Sequence, residues 1–245
     1  MSSRFASVRR RFTDPDRSAF TRGLFASVSI ASGYIPIAIS FGLVAVQAGL
    51  EPLAALLASA LIYAGASQFV LVSLLTAGAG FLGTLLTLLL MNARHLFYGP
   101  ALARKLPRGA SRLPRGALAA GLTDEVFVTA LALLDQIPER EREAWTLGLQ
   151  VGAYAAWVGG TAIGVTSGAQ FAHLPSWAQY ALQFVLPALF MALLLEMARR
   201  DGRIVILVAA AATAIALLAL PTYQAILIGM IAGALSVSWR RPRYE

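Results

Sequence analysis

The chain contains no cysteine, which excludes a disulfide framework, cysteine-ligated zinc and thiol catalysis. Charge is scarce as well: Asp, Glu, Lys and Arg make up 13% of the 245 residues, against about 25% in an ordinary soluble domain. The shortage is uneven. Between Arg22 and Arg94 the only charge is Glu51, and residues 144–195 and 204–239 carry none. Stretches of this length are not solvated loops, because a bilayer-spanning helix needs only about 20 apolar residues. The chain has no Walker-type phosphate loop, no HExxH motif and no GxSxG nucleophile, which argues against ATP coupling within it and against metallopeptidase or serine-hydrolase chemistry.

Hydrophobic residues account for 58% of the sequence and the mean hydropathy is +0.69. These values predict an all-α, polytopic helical membrane protein of 6 to 8 apolar segments. The segments read as 23–48, 52–78, 81–98, 118–135, 144–167, 177–197, 204–219 and 222–238, punctuated at Gly49–Pro52, Gly78–Gly80, Pro107–Pro114, Pro138, Pro175 and Pro221. A basic cytoplasmic tail over 1–22, a single transmembrane domain over 23–239 and a basic cytoplasmic end over 240–245 complete the expected organisation. The net charge of +8 sits in short clusters beside apolar runs rather than on one soluble face, so it points to the membrane surface and not to nucleic acid. Arg9, Arg10 and Arg11 loosely imitate a twin-arginine export signal, but no small-residue cleavage site closes the following run.

Arginine placement sets an orientation problem. The tail, Arg199–Arg203 and Arg240–Arg243 all read as cytoplasmic, and eight full crossings satisfy them. Eight crossings, however, put Arg104, Lys105, Arg108, Arg112 and Arg115 outside, against the positive-inside rule in a short loop. If one segment in each half fails to cross, that loop is cytoplasmic and the 135–143 turn lies outside. The glycine-interrupted regions 52–78 and 144–167 are the expected candidates. The similar apolar texture of Leu50–Leu75 and Leu174–Met197 raises an internal repeat, as in repeat-built transporters with broken helices.

Several polar residues fall inside the apolar runs. Gly33 and Pro36 mark either a packed kink or an unwound hinge, since proline frees a carbonyl that needs a partner. Gly65, Ser67 and Gln68 either pack against a neighbouring helix or open a half-helix whose amide end suits an anion. Asn92, Arg94 and His95 end the third run, where Arg94 either snorkels to the interface or faces the interior; a lone histidine is no metal site. Asp124 and Glu125 are the costliest feature, at about 2.5–3.5 kcal/mol each near the midplane unless paired, protonated or beside water. On a continuous helix they point ~100° apart, so one is expected to face a pathway and the other to make a structural bond. Glu196 reads as an interfacial partner of Arg199 and Arg200. Trp145, Trp177 and Trp239 read as boundary residues, and Trp157 as an interior one.

The strings FGLVAVQAGL, YAGASQFVLVSLL, LMNARHLFYGPALA and GLTDEVFV together resemble the AzlC family, the large subunit of bacterial branched-chain amino acid exporters. The likeness is strongest over residues 33–127 and textural beyond. It implies a permease of the cytoplasmic (inner) membrane that exports branched-chain and related small amino acids beside a small, hydrophobic AzlD-like membrane subunit. The matching positions are Gly65, Ser67, Gln68, Asn92, Arg94, His95, Asp124 and Glu125.

On physical grounds a zwitterion needs a cation or dipole for its carboxylate, an anion for its ammonium and an apolar wall. Arg94, or the helix end near Ser67 and Gln68, suits the first, and Asp124 the second. Phe69, Phe97 and Phe127 are candidates for the wall. Proton coupling is expected to run through Asp124, Glu125 and His95, whose protonation burial and neighbours adjust; no cofactor or metal is expected. A non-transporting scaffold subunit and an intramembrane enzyme built on Asp124, Glu125 and His95 are the rival classes.

Overall fold

A computed structural model describes residues 18–107, 114–167, 175–177 and 203–238, with isolated positions at 180, 184, 188, 191 and 195. The structure is helical, with no strand among the described residues: the chain is a helical membrane protein. Among the described residues two helical stretches are both long and apolar enough to cross a bilayer, Val28–Gln47 and Phe81–Ala103. Most of the basic tail, the basic end, Glu196, Trp239, Arg108 and Arg112 lie outside the described residues, as does most of the second strip of the expected repeat.

The described residues within 1–69 and 91–179 form one compact unit, and those within 70–90 and 180–245 a second. The first unit is built on α1 (Ala19–Ala26), α2 (Val28–Gln47) and a long helix, α9 (Arg142–Thr166). Trp145, Leu149, Ala153 and Trp157 recur every four residues along α9 and bury one stripe against Ala26, Ile30, Tyr34 and Ala38. Glycines close the seam: a Cβ on Gly148 would stand 2.0 Å from the Phe20 carbonyl oxygen, and one on Gly164 would stand 2.2 Å from that of Ile39. Paired positions rise together, Gly23 at Trp145 and Gly42 at Gly164, so the α1–α2 pair and α9 run parallel.

This corrects the expectation of a break in 144–167, because its glycines serve backbone approach and leave the helix whole. The hinge at Gly33 and Pro36 is corrected as well: α2 continues through Pro36 with no unwinding.

Three other segments are interrupted. α3 (Pro52–Ile62) gives way to α4 (Gly65–Thr76) at Tyr63, whose φ of +42° is the left-handed region that few bulky residues adopt. α5 (Phe81–Asn92) and α6 (His95–Ala103) part at Ala93–Arg94, and α7 (Arg115–Ala120) and α8 (Asp124–Leu133) at Gly121–Thr123. The second and third breaks revise the sequence reading, which has Asn92, Arg94 and His95 at the end of one unbroken run and Asp124 and Glu125 on a continuous helix.

Charges gather at one end of this unit. Arg22 pairs with Glu141, Lys105 with Asp135, and the Arg142 guanidinium donates to the carbonyls of Ile137 (3.0 Å) and Lys105 (2.7 Å). The 135–143 turn is thus at the same end as Arg22 and Lys105, not opposite them as expected. Because α6 arrives at this end and α8 returns to it, α7 and α8 dip inward and come back.

At the other break the Gln68 amide lies 3.1 Å from the Ala58 carbonyl and 3.3 Å from that of Ser59. A continuous helix would carry Gln68 about 14 Å past Ser59 at ~1.5 Å per residue. The chain therefore doubles back at Tyr63–Ala64, and Phe69 packs edge-on against Phe41, 5.4 Å between ring centres.

In the second unit α10 (Arg203–Ala216) and α11 (Thr222–Ser238) pack as an antiparallel pair, with Gly229 at Thr213 and Gly233 at Ala209.

Candidate functional site

A helix break leaves carbonyls and amides without partners, and in an apolar interior each must be satisfied within the protein. At Tyr63–Ala64 the task falls to Gln68, which is buried: its Nε2 donates to the two α3 carbonyls and its Oε1 accepts from Trp157 Nε1 at 3.1 Å. At Gly121–Thr123 it falls to Gln150, whose Nε2 donates to the Leu118 carbonyl at 2.6 Å, and to Thr123, whose Oγ1 accepts the Val126 N–H at 3.3 Å as the N-cap of α8. Gln150, which holds this break, is missed by the sequence reading, although an amide in a charge-free run is the same signal that flags Gln68.

The breaks meet through their side chains. Ser67, two residues into α4, donates to Asn92 Oδ1 at 2.7 Å, joining the first break to the second. Arg94, in the second break, holds Asp124, the first residue of α8, at 2.9 Å. His95 Nε2 stands 4.0 Å from the same carboxylate, and the Tyr98 hydroxyl donates to it. Tyr34, from mid-α2, lies 2.6 Å from both Thr123 Oγ1 and Glu125 Oε2. Its ring meets that of Trp157 edge-on, centres 5.1 Å apart, and Trp157 leads back to Gln68. The circuit of contacts is closed.

Helix lengths give its depth. From the charged end, Arg22 to Tyr34, Asp135 to Thr123, Lys105 to Arg94 and Arg142 to Trp157 each measure about 16–23 Å along their helices at ~1.5 Å per residue. A hydrocarbon core is ~30 Å thick, so each path is shorter than a full crossing and the ring lies well away from the charged end. Arg94 and Asp124 keep 48% and 39% of their side-chain surface exposed there, and Glu125 is exposed. At such depth exposed charge needs a water-filled cavity or a partner, not lipid.

The structure sorts the expected residues. It brings together Ser67, Asn92, Arg94, His95, Asp124 and Glu125, and adds Tyr34, Tyr98 and Thr123. Tyrosines at helical spacing carry no sequence signal that separates them from packing residues. Arg94 is tied to Asp124 at 2.9 Å. Gln68 spends its donors on carbonyls, and Gly65 lies under the Trp157 ring, where a Cβ would stand only 2.7 Å from the nearest ring carbon, so this helix end is covered. Of the three phenylalanines, Phe127 stacks on Tyr98 at 4.4 Å and 10°, whereas Phe69 is packed on Phe41 and Phe97 is 73% exposed. Among the described residues no three His, Asp or Glu gather as metal ligands.

Comparison with known proteins agrees with this picture of a membrane protein. The family model described as AzlC protein matches residues 29–171, which spans the α2–α9 seam and all three breaks. The chain is 37% identical over 224 residues to the inner membrane protein YgaZ of Escherichia coli K12, covering 91% of each chain. It is 39% identical over 221 residues to an uncharacterized membrane protein of Archaeoglobus fulgidus, covering 90% of this chain and 94% of that one. The branched-chain amino acid transport protein AzlC of Bacillus subtilis is 27% identical over 180 residues, 73% of this chain and 68% of that one. No solved structure matches.

Proposed function

Since the chain belongs to the AzlC family, for which membrane transport is supported, we propose that it exports branched-chain and related small amino acids through the ring of broken helices. The observation that carries the reading is the Arg94–Asp124 pair, at 2.9 Å. An amino acid zwitterion is the complement of that pair. Its carboxylate takes the planar guanidinium of Arg94, its ammonium takes Asp124, and one ion pair becomes two without a change in net charge. Tyr98 and Phe127 form a stacked wall for the aliphatic part. Ser67 and Asn92 line the neighbouring break; Gly65 and Gln68 maintain it.

Under the positive-inside rule the charged end, with Arg22, Lys105 and Arg142, is cytoplasmic, and so is the N-terminus. Residues 18–47 and 142–166 cross, while the chain doubles back at Tyr63–Ala64 and 115–135 returns to the side it enters from. This gives the arginine-rich 104–115 loop a cytoplasmic place without eight crossings. Residues 23–239 form the permease domain, in the bacterial inner membrane, beside a small AzlD-like subunit. Export against a gradient is driven by proton exchange at Asp124, Glu125 or His95. The transport relative favours this over a scaffold subunit, and the lack of an HExxH or GxSxG motif favours it over an intramembrane enzyme.

The test is efflux of preloaded leucine from liposomes containing the purified chain, with and without the small subunit. Wild type should release leucine chemically unchanged. Arg94→Lys and Asp124→Asn should each slow release at least about tenfold, the loss expected when a charged contact worth ~1.4 kcal/mol or more is removed. Near-normal efflux by both variants, or no efflux by wild type with its partner, overturns the reading.

A further inference from the structure

The two adjacent carboxylates are bonded to different parts of the molecule. Asp124 is held by Arg94 and Tyr98, and Glu125 by Tyr34. Tyr34 Oη has two short contacts, 2.6 Å to Glu125 Oε2 and 2.6 Å to Thr123 Oγ1, but one proton. A phenol donates once and accepts with its lone pairs, and an ionised carboxylate accepts only. When Glu125 is ionised, the Tyr34 proton must therefore go to Glu125, and the Thr123 hydroxyl must donate to Tyr34. When Glu125 is protonated, its own O–H can donate to Tyr34, which then donates to Thr123. The direction of the three-group chain reverses with the charge on Glu125.

From these contacts we infer that Glu125 is the proton-binding group, that Tyr34 is its positioning residue, and that the Tyr34–Thr123 bond passes its protonation state to the start of α8. The consequence for Asp124 is geometric. Thr123 caps α8 through Val126 N–H, and Asp124 is the next residue, so a shift of Thr123 that accompanies the reversal moves the carboxylate that faces Arg94. One carboxylate binds the proton and its neighbour binds the substrate; the shared cap couples them. This deepens the proposed function and rests on it for the identity of the substrate only. The other ionisable groups within electrostatic reach of Glu125 are Tyr34, Tyr63, His95 and Tyr98, with Asp124 beside it and Arg94 across Asp124. Glu125 is exposed.

The experiment follows the infrared carboxyl band of the purified, full-length protein in lipid as pH is varied, with no amino acid present, alongside leucine exchange over the same range. Glu125→Gln should remove the titrating band. Tyr34→Phe deletes the hydrogen bond that Glu125 accepts, so the midpoint should move. Thr123→Val leaves Tyr34 packing intact and should shift the midpoint the same way by less. In leucine exchange, Tyr34→Phe combined with Glu125→Gln should show the same pH dependence as Glu125→Gln alone. The inference is overturned if the band survives Glu125→Gln and is lost in Asp124→Asn, or if neither Tyr34→Phe nor Thr123→Val moves the midpoint. Failure of leucine exchange with a normal titration would instead sink the proposed substrate.

Discussion

Two glycine-rich regions of the first compact unit, the α9 seam and the ring of breaks, have opposite outcomes. In α9, glycines at 148, 152, 160 and 164 leave a 25-residue helix unbroken. At Tyr63–Ala64, just before Gly65, and at Gly121 the chain leaves its helix. Glycine content does not distinguish them. The breaks each have a buried amide positioned to take the freed carbonyls, Gln68 in one and Gln150 in the other, whereas the α9 glycines face α1 and α2 across the seam and free nothing. A glycine beside a spare donor gives a break, and one facing a neighbouring helix gives a contact.

The largest effect should come from the seam. Gly148→Leu places side-chain atoms where the Phe20 carbonyl stands, 2.0 Å from the first added carbon. Backbone has to move, and overpacking of this kind costs about 3 kcal/mol or more. Folded protein in the membrane should fall steeply, with a lower unfolding temperature for what remains. Gly159→Ala, which meets nothing within 4 Å, should be near neutral in the same measurement. Equal behaviour of the two would dissolve the distinction between seam and surface glycines.

Next comes the break itself. Gln68→Leu keeps approximate volume but strips the Ala58 and Ser59 carbonyls of a donor and Trp157 Nε1 of its acceptor. Each orphaned buried group costs about 1–3 kcal/mol, so thermal unfolding in detergent should drop by an amount second only to Gly148→Leu. Gln68→Glu retains the acceptor for Trp157 and should be less damaging if ionisation is suppressed by burial. A neutral Gln68→Leu would mean that the amide does not hold the turn.

Much of this is legible in residues and less of it in positions. The charge-free stretches point to the membrane class, and Tyr63–Gln68 signals a broken helix through small residues beside an amide. Asp124, Glu125 and Arg94 stand out because charge inside hydrocarbon needs an explanation. The break at Ala93–Arg94 carries no glycine or proline; it is made by tertiary bonds from Ser67 to Asn92 and from Arg94 to Asp124, which no local pattern encodes. The parallel course of α1–α2 and α9 is equally hidden, and with it the placing of the 135–143 turn. Tyr34 and Tyr98 escape a sequence reading because their role depends on which carboxylate folding sets beside each.

The smallest effect belongs to the charged end, where groups are wet. The Lys105 ammonium hydrogen-bonded to Asp135 holds that carboxyl below the ordinary aspartate range, against a smaller opposing effect of burial. The sign follows: a depressed folded-state value contributes stability above the ordinary aspartate pKa of ~3.9, and the contribution is lost as pH falls through the folded value. Asp135 is solvent-exposed, and exposed ion pairs contribute little. Asp135→Asn should therefore leave the unfolding temperature at neutral pH nearly unchanged and reduce its fall in acid. If instead Asp135→Asn at neutral pH destabilises as much as Gln68→Leu, the charged end is a structural clamp of the same rank as the breaks. In that case α6 and α8 are held together mainly where they leave the membrane, and the buried amides are secondary.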